Sequence, residues 1–319
     1  MFGGLGRSFR IGVLTAAAIA TFAWPAAAGP GALTKQNLVA PTYEQAVAGW
    51  EAFKAAQPPA CAAAVDSTEV LHGGRTGTVV IMLHGFAGNP GQMAPLTEMF
   101  AAAGANVIIP RLAGHFDQNM DALDDATFQD WLDQATEVLA IARGLGERVI
   151  VAGYSLGGLL ASYLALEYGE SIDRLLLLAP AWKLQPRAVV EADLGALLGI
   201  RRSALGDAQI CEVEHFDLSA RGAVEVHRLA EHTERTFARA GLSAFALIEH
   251  PILMSVGATD QIVDTPYVLE VVPEAEVAIH VIENPDGGHL WYMQSRDLYR
   301  TGNPLGDEFI ADFQRFVAQ

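Results

Sequence analysis

The chain has 319 residues, 51% of them hydrophobic, and its 37 acidic and 20 basic side chains give a formal net charge of −17. This length and composition can bury a large core, and we expect one large α/β domain with an insertion in preference to two domains. So acidic a surface repels phosphate backbones and anionic lipid, which argues against nucleic-acid binding and electrostatic membrane binding.

Residues 1–28 differ from the rest of the chain. Arg7 and Arg10 precede an uncharged, mostly apolar stretch over residues 11–24, and alanines then lead to Gly29. A basic start, an apolar middle and a small-residue end are typical of a secretory signal peptide, and the stretch is too short to span a bilayer comfortably. We therefore expect an exported protein, periplasmic or secreted, with no stable membrane span when mature; an uncleaved anchor is the alternative.

Residues 29–60 are predicted to form a loose arm followed by a helix. Thr42 and Gln45 have the spacing of a capping box, and apolar residues recur at helical intervals until Pro58 ends the pattern. We expect this helix to pack on the outside of the sheet.

Strands and helices alternate along residues 61–180 and again along residues 251–319. This order requires parallel pairing, so the predicted fold class is α/β, with a mostly parallel, doubly wound sheet and helices on both faces. The predicted strands cover residues 68–71, 78–83, 106–109, 149–152, 175–178, 252–256 and 277–282, and the predicted helices cover residues 92–103, 127–144, 159–168, 266–272 and 304–317.

The alternation stops between residues 181 and 250. Two amphipathic stretches replace it, at residues 187–198 and 220–240, and the second presents apolar side chains on one side. We expect this segment to be a helical lid inserted into the α/β core.

The chain has only two cysteines, Cys61 and Cys211, and neither belongs to a C-x-x-C pair or to a grouping of Cys and His at metal-ligand spacing. We therefore expect no metal and no cofactor. In an exported protein the two thiols can form a disulfide, but the sequence leaves open whether they approach each other.

The stretch Gly153-Tyr154-Ser155-Leu156-Gly157 has the G-x-S-x-G pattern of a nucleophile elbow. A continuously apolar strand precedes it and a helical pattern follows it, which is the context that the motif requires. The small flanking residues allow a strained serine to project from the end of the strand. Ser155 is therefore the predicted nucleophile.

A serine nucleophile needs an imidazole to take its proton and a carboxylate to orient that imidazole. With this elbow, the acid and then the histidine follow the serine along the chain. His289 lies in a glycine-rich loop just past the last predicted strand, where ligands bind in open parallel sheets. We predict His289 as the base; His280, inside the predicted strand, is the weaker alternative.

The predicted acid is Asp260, which follows the glycine at the end of the strand over residues 252–256. Asp264, a few residues later, and Asp286, beside the predicted base, are the alternatives. An aspartate at either position is also typical of a loop cap or of a solvated surface charge.

Two backbone N–H groups must receive the oxyanion of the tetrahedral intermediate. The residue after the nucleophile, Leu156, and Phe86, in the loop after the strand over residues 78–83, are the expected donors. Tyr154 and Trp182 are candidates for the acyl pocket, with burial in the core as the alternative. The ring of His84 is expected to brace loops and not to transfer protons.

Together these motifs resemble the α/β-hydrolase superfamily, and within it the bacterial carboxylesterases and monoacylglycerol lipase-like enzymes with a small helical lid. The resemblance covers about residues 65–180 and 250–317; the lid and the first helix match nothing specific. It implies a triad of Ser155, Asp260 and His289. The quoted residues are His84-Gly85-Phe86, Arg111-Leu112-Ala113-Gly114-His115, Gly153-Tyr154-Ser155-Leu156-Gly157-Gly158, Gly257-Ala258-Thr259-Asp260 and Gly288-His289.

The resemblance implies hydrolysis of carboxylic esters, of small-molecule or lipid type, through an acyl-enzyme on Ser155. Haloalkane dehalogenases and epoxide hydrolases of this fold carry an aspartate at the elbow, so the serine excludes them. Haloperoxidases, C–C hydrolases and aminopeptidases stay open, and Glu191, Glu212 or Glu214 are candidates to hold a substrate amine. A non-catalytic binding protein is the alternative from another class.

Overall fold

Seven strands form one sheet in the computed structural model, which describes residues 38–119, 121–198, 202–203, 211, 217–273, 276–282, 289 and 304–318. The predicted signal peptide lies outside the described residues. The strands are β1 (Thr68–Val70), β2 (Thr76–Leu83), β3 (Asn106–Ile109), β4 (Gly146–Tyr154), β5 (Arg174–Leu178), β8 (Ile252–Gly257) and β9 (Val277–Ile282); a two-stranded ribbon of β6 (Arg202–Ser203) and β7 (Asp217–Leu218) is separate.

The strand order in the sheet is β1-β3-β2-β4-β5-β8-β9, and every neighbouring pair is parallel except β1 with β3. This confirms the predicted α/β class with a mostly parallel sheet. The carboxyl ends of parallel strands meet at one edge of a sheet. The register places Leu83 beside Gly153, and Tyr154 beside Leu178, so the loops after β2, β4 and β5 emerge together there.

Helices cover both faces of the sheet, which explains the unbroken apolar run in β4. Val149 and Val151 belong to the core cluster on one face, while Ile150 and Ala152 belong to the cluster on the other. Successive side chains of a strand point to opposite faces, so both must be apolar when both are covered. The helices are α1 (Tyr43–Ala56), α2 (Ala94–Ala102), α3 (Ala122–Asp125), α4 (Phe128–Leu145), α5 (Leu156–Glu167), α6 (Pro186–Leu198), α7 (Ala220–Phe237), α8 (Thr265–Glu270) and α9 (Pro304–Ala318).

Two helix starts follow from their caps. At α1, Thr42 and Gln45 form the predicted capping box, with the Gln45 N–H 3.2 Å from Thr42 Oγ1 and the Thr42 N–H 2.9 Å from Gln45 Oε1. At α4, Thr127 and Asp130 form the same motif. Each box satisfies two N–H groups that a helix leaves unpaired. Trp50 of α1 is then buried in the core cluster that also contains the α4 side chains.

The segment from 181 to 250 contains α6 and α7, which pack against each other. The apolar face of α7 is buried as its periodicity predicted, through Val226, Leu229 and Phe237. No described residue of α6 is buried, so α6 lies on the outer side of this pair.

The two cysteines are joined in a disulfide, with their Cα atoms 5.3 Å apart across 150 residues of sequence. Cys211 lies between β6 and β7, and Cys61 lies before β1, where its N–H donates to the Phe116 carbonyl at 2.8 Å. The pairing that the sequence left open therefore connects the segment 181–250 to the core. Among the described residues, no helix combines the length and apolarity that a membrane span requires.

Candidate active site

Ser155 lies at the sharp turn between β4 and α5. Its backbone has φ 51° and ψ −111°, a left-handed conformation that costs a residue with a Cβ on the order of 1–3 kcal/mol. The Ser155 N–H donates to the Leu178 carbonyl of β5 at 2.8 Å, and its carbonyl accepts from the Ala181 and Leu159 N–H groups at 3.0 Å each. The surrounding backbone therefore holds the serine in this strained position.

The two glycines of the motif are required by close approach of main chain. A Cβ on Gly153 would lie 2.1 Å from the Gly157 carbonyl oxygen, and one on Gly157 would lie 1.9 Å from the Leu83 carbonyl oxygen. Neither contact is possible, so the turn and the first residues of α5 fit against the end of β2 only without side chains there.

The structure brings Ser155, His289 and Asp260 together. His289 Nε2 lies 2.8 Å from Ser155 Oγ, and His289 Nδ1 lies 2.7 Å from Asp260 Oδ2. Ser155 is 5% exposed and Asp260 is 6% exposed, so the Asp260 end of the chain of hydrogen bonds is shielded from water. Three residues far apart in the sequence thus form one continuous hydrogen-bonded array at the edge where the parallel strands end.

Asp260 is held by both of its oxygens. Oδ1 accepts from the Ile262 and Val263 N–H groups at 2.8 and 2.9 Å, while Oδ2 faces His289. Burial alone would raise the pKa of Asp260, but the hydrogen bond and charge of His289, together with the two N–H donors, outweigh it and lower the pKa from its ordinary value.

An ionised Asp260 only accepts hydrogen bonds, so His289 Nδ1 carries the proton in this array. In the neutral imidazole, Nε2 is then the acceptor that faces the Ser155 hydroxyl. This arrangement is chemically able to remove the hydroxyl proton as the oxygen attacks a carbonyl.

The alternative acids and bases occupy other places. His280 lies within β9, with its Nε2 2.9 Å from Asp312 of α9. Asp264 is the N-cap of α8, where it accepts from the Tyr267 N–H at 3.2 Å, and it pairs with Lys183 at 3.2 Å. Asp286 lies outside the described residues.

Of the two expected oxyanion donors, one is adjacent to Ser155 in the chain and the other lines the same cavity as Ser155. Leu156 is the first residue of α5, so its N–H is among those that a helix leaves without an internal partner. Phe86 follows β2 and lines the cavity in front of Ser155. A Cβ on Gly222 of α7 would lie 2.8 Å from the Phe86 ring, so α7 packs directly on this loop.

His84 braces the loop that carries Phe86. Its Nε2 accepts from the Leu112 N–H at 3.0 Å, so its Nδ1 must carry the proton that it donates to the Gly85 carbonyl at 2.9 Å. Full burial, and then the neighbouring His115, lower the pKa of His84 well below its ordinary value. The ring stays neutral and links two loops, as expected from the sequence.

A cavity of about 300 Å³ opens in front of Ser155. Its walls are mainly apolar and come from the Phe86 loop, α6, α7 and the loop before α8, with Glu191 as the one carboxylate among the lining residues described. Glu191 Oε1 also accepts from Arg187 Nε at 2.9 Å. The lining residues are Phe86, Ser155, Leu184, Ala188, Glu191, Ala192, Leu194, Gly195, Ala220, Ala223, Val226 and Ile262.

Neither of the two aromatic residues proposed for the acyl pocket belongs to the described lining of this cavity. Trp182 is 1% exposed, stacks on Phe245 at 4.9 Å and donates to Ser162 Oγ at 2.8 Å. Tyr154 is buried against His289. The alternative given for both, burial in the core, is what the structure shows.

Sequence reasoning missed the small residues that make room for the cavity. Ala188, Ala192 and Gly195 of α6 are spaced by four and three residues, and Ala220 and Ala223 of α7 by three, so each set lies on one helix face. This spacing of small residues could have been recognised in the sequence as a helix face that leaves room for a cavity.

Within the described ranges, no group of three or more metal-ligating side chains occurs.

Comparison with known proteins identifies the family of this chain. The family model described as serine aminopeptidase, S33 matches residues 74–285. The chain belongs to this family. The thermostable monoacylglycerol lipase of Bacillus sp. (strain H-257) is a relative of this chain, and the two are 40% identical over 86 residues. That match covers 27% of this chain and 34% of the relative, so it spans about a third of the lipase.

Solved structures share the fold of this family member. A structure of the metagenome-derived lipolytic enzymes LipS and LipT superposes with a TM-score of 0.61 at 17% identity, covering 80% of this chain and 99% of that one. A monoacylglycerol lipase of Paleococcus ferrophilus gives a TM-score of 0.54 at 18% identity, covering 78% and 96%. Est1E of Butyrivibrio proteoclasticus with ferulic acid gives 0.55 at 18% identity, covering 80% and 96%. Together with the matching family model, these structures confirm the resemblance to the α/β-hydrolase superfamily.

Proposed function

We propose that the protein is a serine hydrolase that cleaves carboxylic esters by a Ser-His-Asp triad. The observation that carries the proposal is the hydrogen-bonded array of these three residues. Ser155 Oγ lies 2.8 Å from His289 Nε2, and His289 Nδ1 lies 2.7 Å from Asp260 Oδ2. The strained serine and the monoacylglycerol lipase relative support it as well.

In the acylation step, Ser155 Oγ attacks the ester carbonyl while His289 Nε2 takes the hydroxyl proton. The oxyanion that forms accepts hydrogen bonds from the Phe86 and Leu156 N–H groups. Asp260 stabilises the imidazolium, which then gives its proton to the leaving alkoxide as the C–O bond breaks. The products of this step are the free alcohol and an ester of Ser155.

Deacylation repeats the sequence with water. His289 removes a proton from the water that attacks the acyl carbonyl, and it returns the proton to Ser155 Oγ as the acyl-enzyme bond breaks. The net reaction is hydrolysis of the ester to an acid and an alcohol, with the protein unchanged. The apolar cavity suits the hydrocarbon part of a small-molecule or lipid ester, such as a monoacylglycerol or lysophospholipid.

The test is hydrolysis of an ester panel graded from acetate to long-chain glycerides, with Ser155→Ala as the matched inactive variant. We expect turnover of a p-nitrophenyl ester to fall by about 10³-fold or more in the variant. A fluorophosphonate probe should label the wild type and leave Ser155→Ala unlabelled. Equal turnover by both proteins, or no labelling of an intact wild type, would contradict the proposal, and the latter would favour a binding protein.

A second candidate, cleavage of an N-terminal peptide bond, is favoured by one observation. The Glu191 carboxylate lines the cavity and is able to hold a substrate ammonium group. Its ion pair with Arg187 competes with that role. Hydrolysis of an aminoacyl p-nitroanilide that is lost in Glu191→Gln, while ester hydrolysis is kept, would support this candidate over the ester hydrolase.

Export to the periplasm or the medium is part of the proposal. It is supported by the basic and apolar pattern of residues 1–28 and by the disulfide between Cys61 and Cys211, because disulfides persist mainly in oxidising compartments. Cell fractionation of a strain that expresses the full chain tests it: recovery of the protein only with the cytosol would contradict export.

A further inference from the structure

Tyr154, the residue directly before the proposed nucleophile, touches His289 in two ways. Its hydroxyl donates a hydrogen bond of 2.5 Å to the His289 carbonyl, and its ring stacks on the imidazole with 5.2 Å between centroids and 27° between planes. One side chain thus contacts both the main chain and the ring of the same residue. We propose that Tyr154 is a positioning residue that fixes His289 relative to Ser155, an inference that rests on the proposed function.

The same tyrosine ring also abuts the loop that carries the expected oxyanion donor. A Cβ on Gly85 would lie 2.6 Å from Tyr154 Cδ1 and 2.8 Å from its Cε1, so only a glycine lets the loop pass this close to the ring. Gly85 immediately precedes Phe86. Tyr154 therefore contacts three parts of the reaction centre. Its ring contacts the loop of Phe86, its ring and hydroxyl contact His289, and its peptide bond joins it to Ser155.

The topology explains why His289 needs such an anchor. Ser155 follows β4, whereas His289 follows β9 at the edge of the sheet, with β5 and β8 between the two strands. The hydrogen bond that the imidazole donates to Asp260 and the one that it accepts from Ser155 fix the ring nitrogens, but they do not by themselves fix the main chain of His289. The bond from Tyr154 fixes the carbonyl of that main chain.

Burial makes this anchor strong. Tyr154 is 2% exposed and ends β4, which pairs with β2 on one side and β5 on the other, so its backbone cannot shift. A hydrogen bond from so rigid a residue constrains its partner more than one from a surface side chain. Small displacements of a proton acceptor from its reacting atom reduce turnover steeply.

The experiment compares the wild type with Tyr154→Phe, which keeps the ring and removes the hydroxyl. We expect kcat for a p-nitrophenyl ester to fall about 10-fold with KM within about two-fold, because the substrate cavity is untouched while proton transfer is misaligned. The rate constant for labelling of Ser155 by a fluorophosphonate should fall in parallel, since it depends on the same proton transfer.

Tyr267→Phe is the matched control. It removes a tyrosine hydroxyl bond of similar length, 2.6 Å to Glu234, away from the triad. We expect this control to lose comparable thermal stability and to keep kcat. An unchanged kcat in Tyr154→Phe, or equal losses of kcat in both variants that track their losses of Tm, would overturn the positioning role. A wild type that neither hydrolyses esters nor reacts with the probe would instead overturn the proposed function.

Discussion

The backbone strain at Ser155 makes a prediction that separates activity from stability. A glycine adopts φ 51° without the penalty that a Cβ brings, so Ser155→Gly relieves strain that Ser155→Ala retains. We expect both variants to be inactive and the glycine variant to be more stable than the alanine variant by about 1 kcal/mol, because relief of strain exceeds the added entropy of the unfolded chain.

Urea denaturation of the two variants at one pH checks this expectation. An alanine variant at least as stable as the glycine variant would show that the turn stores no strain at the nucleophile. The comparison is independent of any substrate, since it uses only inactive proteins.

His115, next to His84, makes the stability of the fold depend on pH. Burial, together with the charge of Arg111, lowers the pKa of His115 from 6.5 to about 4 against the effect of its backbone hydrogen bonds. Well above pH 6.5 neither the folded nor the unfolded state binds a proton at this ring. As the pH falls from 6.5 to about 4 only the unfolded state does, so up to roughly 3 kcal/mol of stability is lost.

The measurement is the free energy of unfolding at pH 7 and at pH 4.5 for the wild type and for His115→Asn, whose amide can still donate to the Ala113 carbonyl. We expect the difference between the two pH values to shrink by at least about 1 kcal/mol in the variant. His72→Asn, at an exposed position, is the control and should keep the wild-type difference. An equal difference in the free energy of unfolding between pH 7 and pH 4.5 in all three proteins would contradict the prediction.

At the scale of single elements, α5 shows how tightly a helix can be set against a sheet. Gly157 lies in its first turn, and a Cβ added to Gly157 would lie 1.9 Å from the Leu83 carbonyl oxygen of β2. Gly157→Ala must push the helix away from the sheet, and we expect a loss of about 3 kcal/mol or failure to fold. Gly77→Ala, where nothing lies within 4 Å, should change stability by less than about 0.5 kcal/mol. Circular dichroism during urea titration compares them, and similar midpoints would contradict this close contact.

Most elements were predictable because their signals are local. The strand at Asn106–Ile109 was predicted with its observed bounds, and α6 and α9 were each within one residue at either end. The start of α2 was wrong, since the predicted helix began at residue 92 whereas Pro90–Met93 forms a 3-10 turn. The ribbon of β6 and β7 was missed, because two-residue strands carry no periodicity.

The candidate site was predictable only in part, for a related reason. The order of motifs along the chain placed Ser155, Asp260 and His289, which the structure brings into hydrogen-bonding contact. The contacts of Tyr154 with His289 and of Trp182 with Phe245 could not be predicted, because each joins segments more than 60 residues apart. Periodicity predicts that a side chain is buried, whereas tertiary packing determines which residues it contacts.

At the scale of the whole molecule, one covalent bond joins the ends of a long loop. The disulfide links Cys61 to Cys211 across 150 residues, and both cysteines pack against the small cluster of Val65 and Phe116. Ala87, which directly follows Phe86, packs against the same cluster. Closing so long a loop removes much conformational entropy from the unfolded chain, and native disulfides contribute about 2–4 kcal/mol.

Replacing both cysteines by serine should therefore lower the free energy of unfolding by about 2–4 kcal/mol. Urea midpoints measured with and without dithiothreitol test this directly. The reductant should move the wild type toward the double variant and leave the double variant unchanged, because only the wild type has a bond to reduce. If the wild-type midpoint does not respond to complete reduction of the disulfide, the cross-link contributes nothing to the fold. A strong response would show that the cross-link stabilises the folded protein, which supports the proposed export because disulfides persist mainly in oxidising compartments.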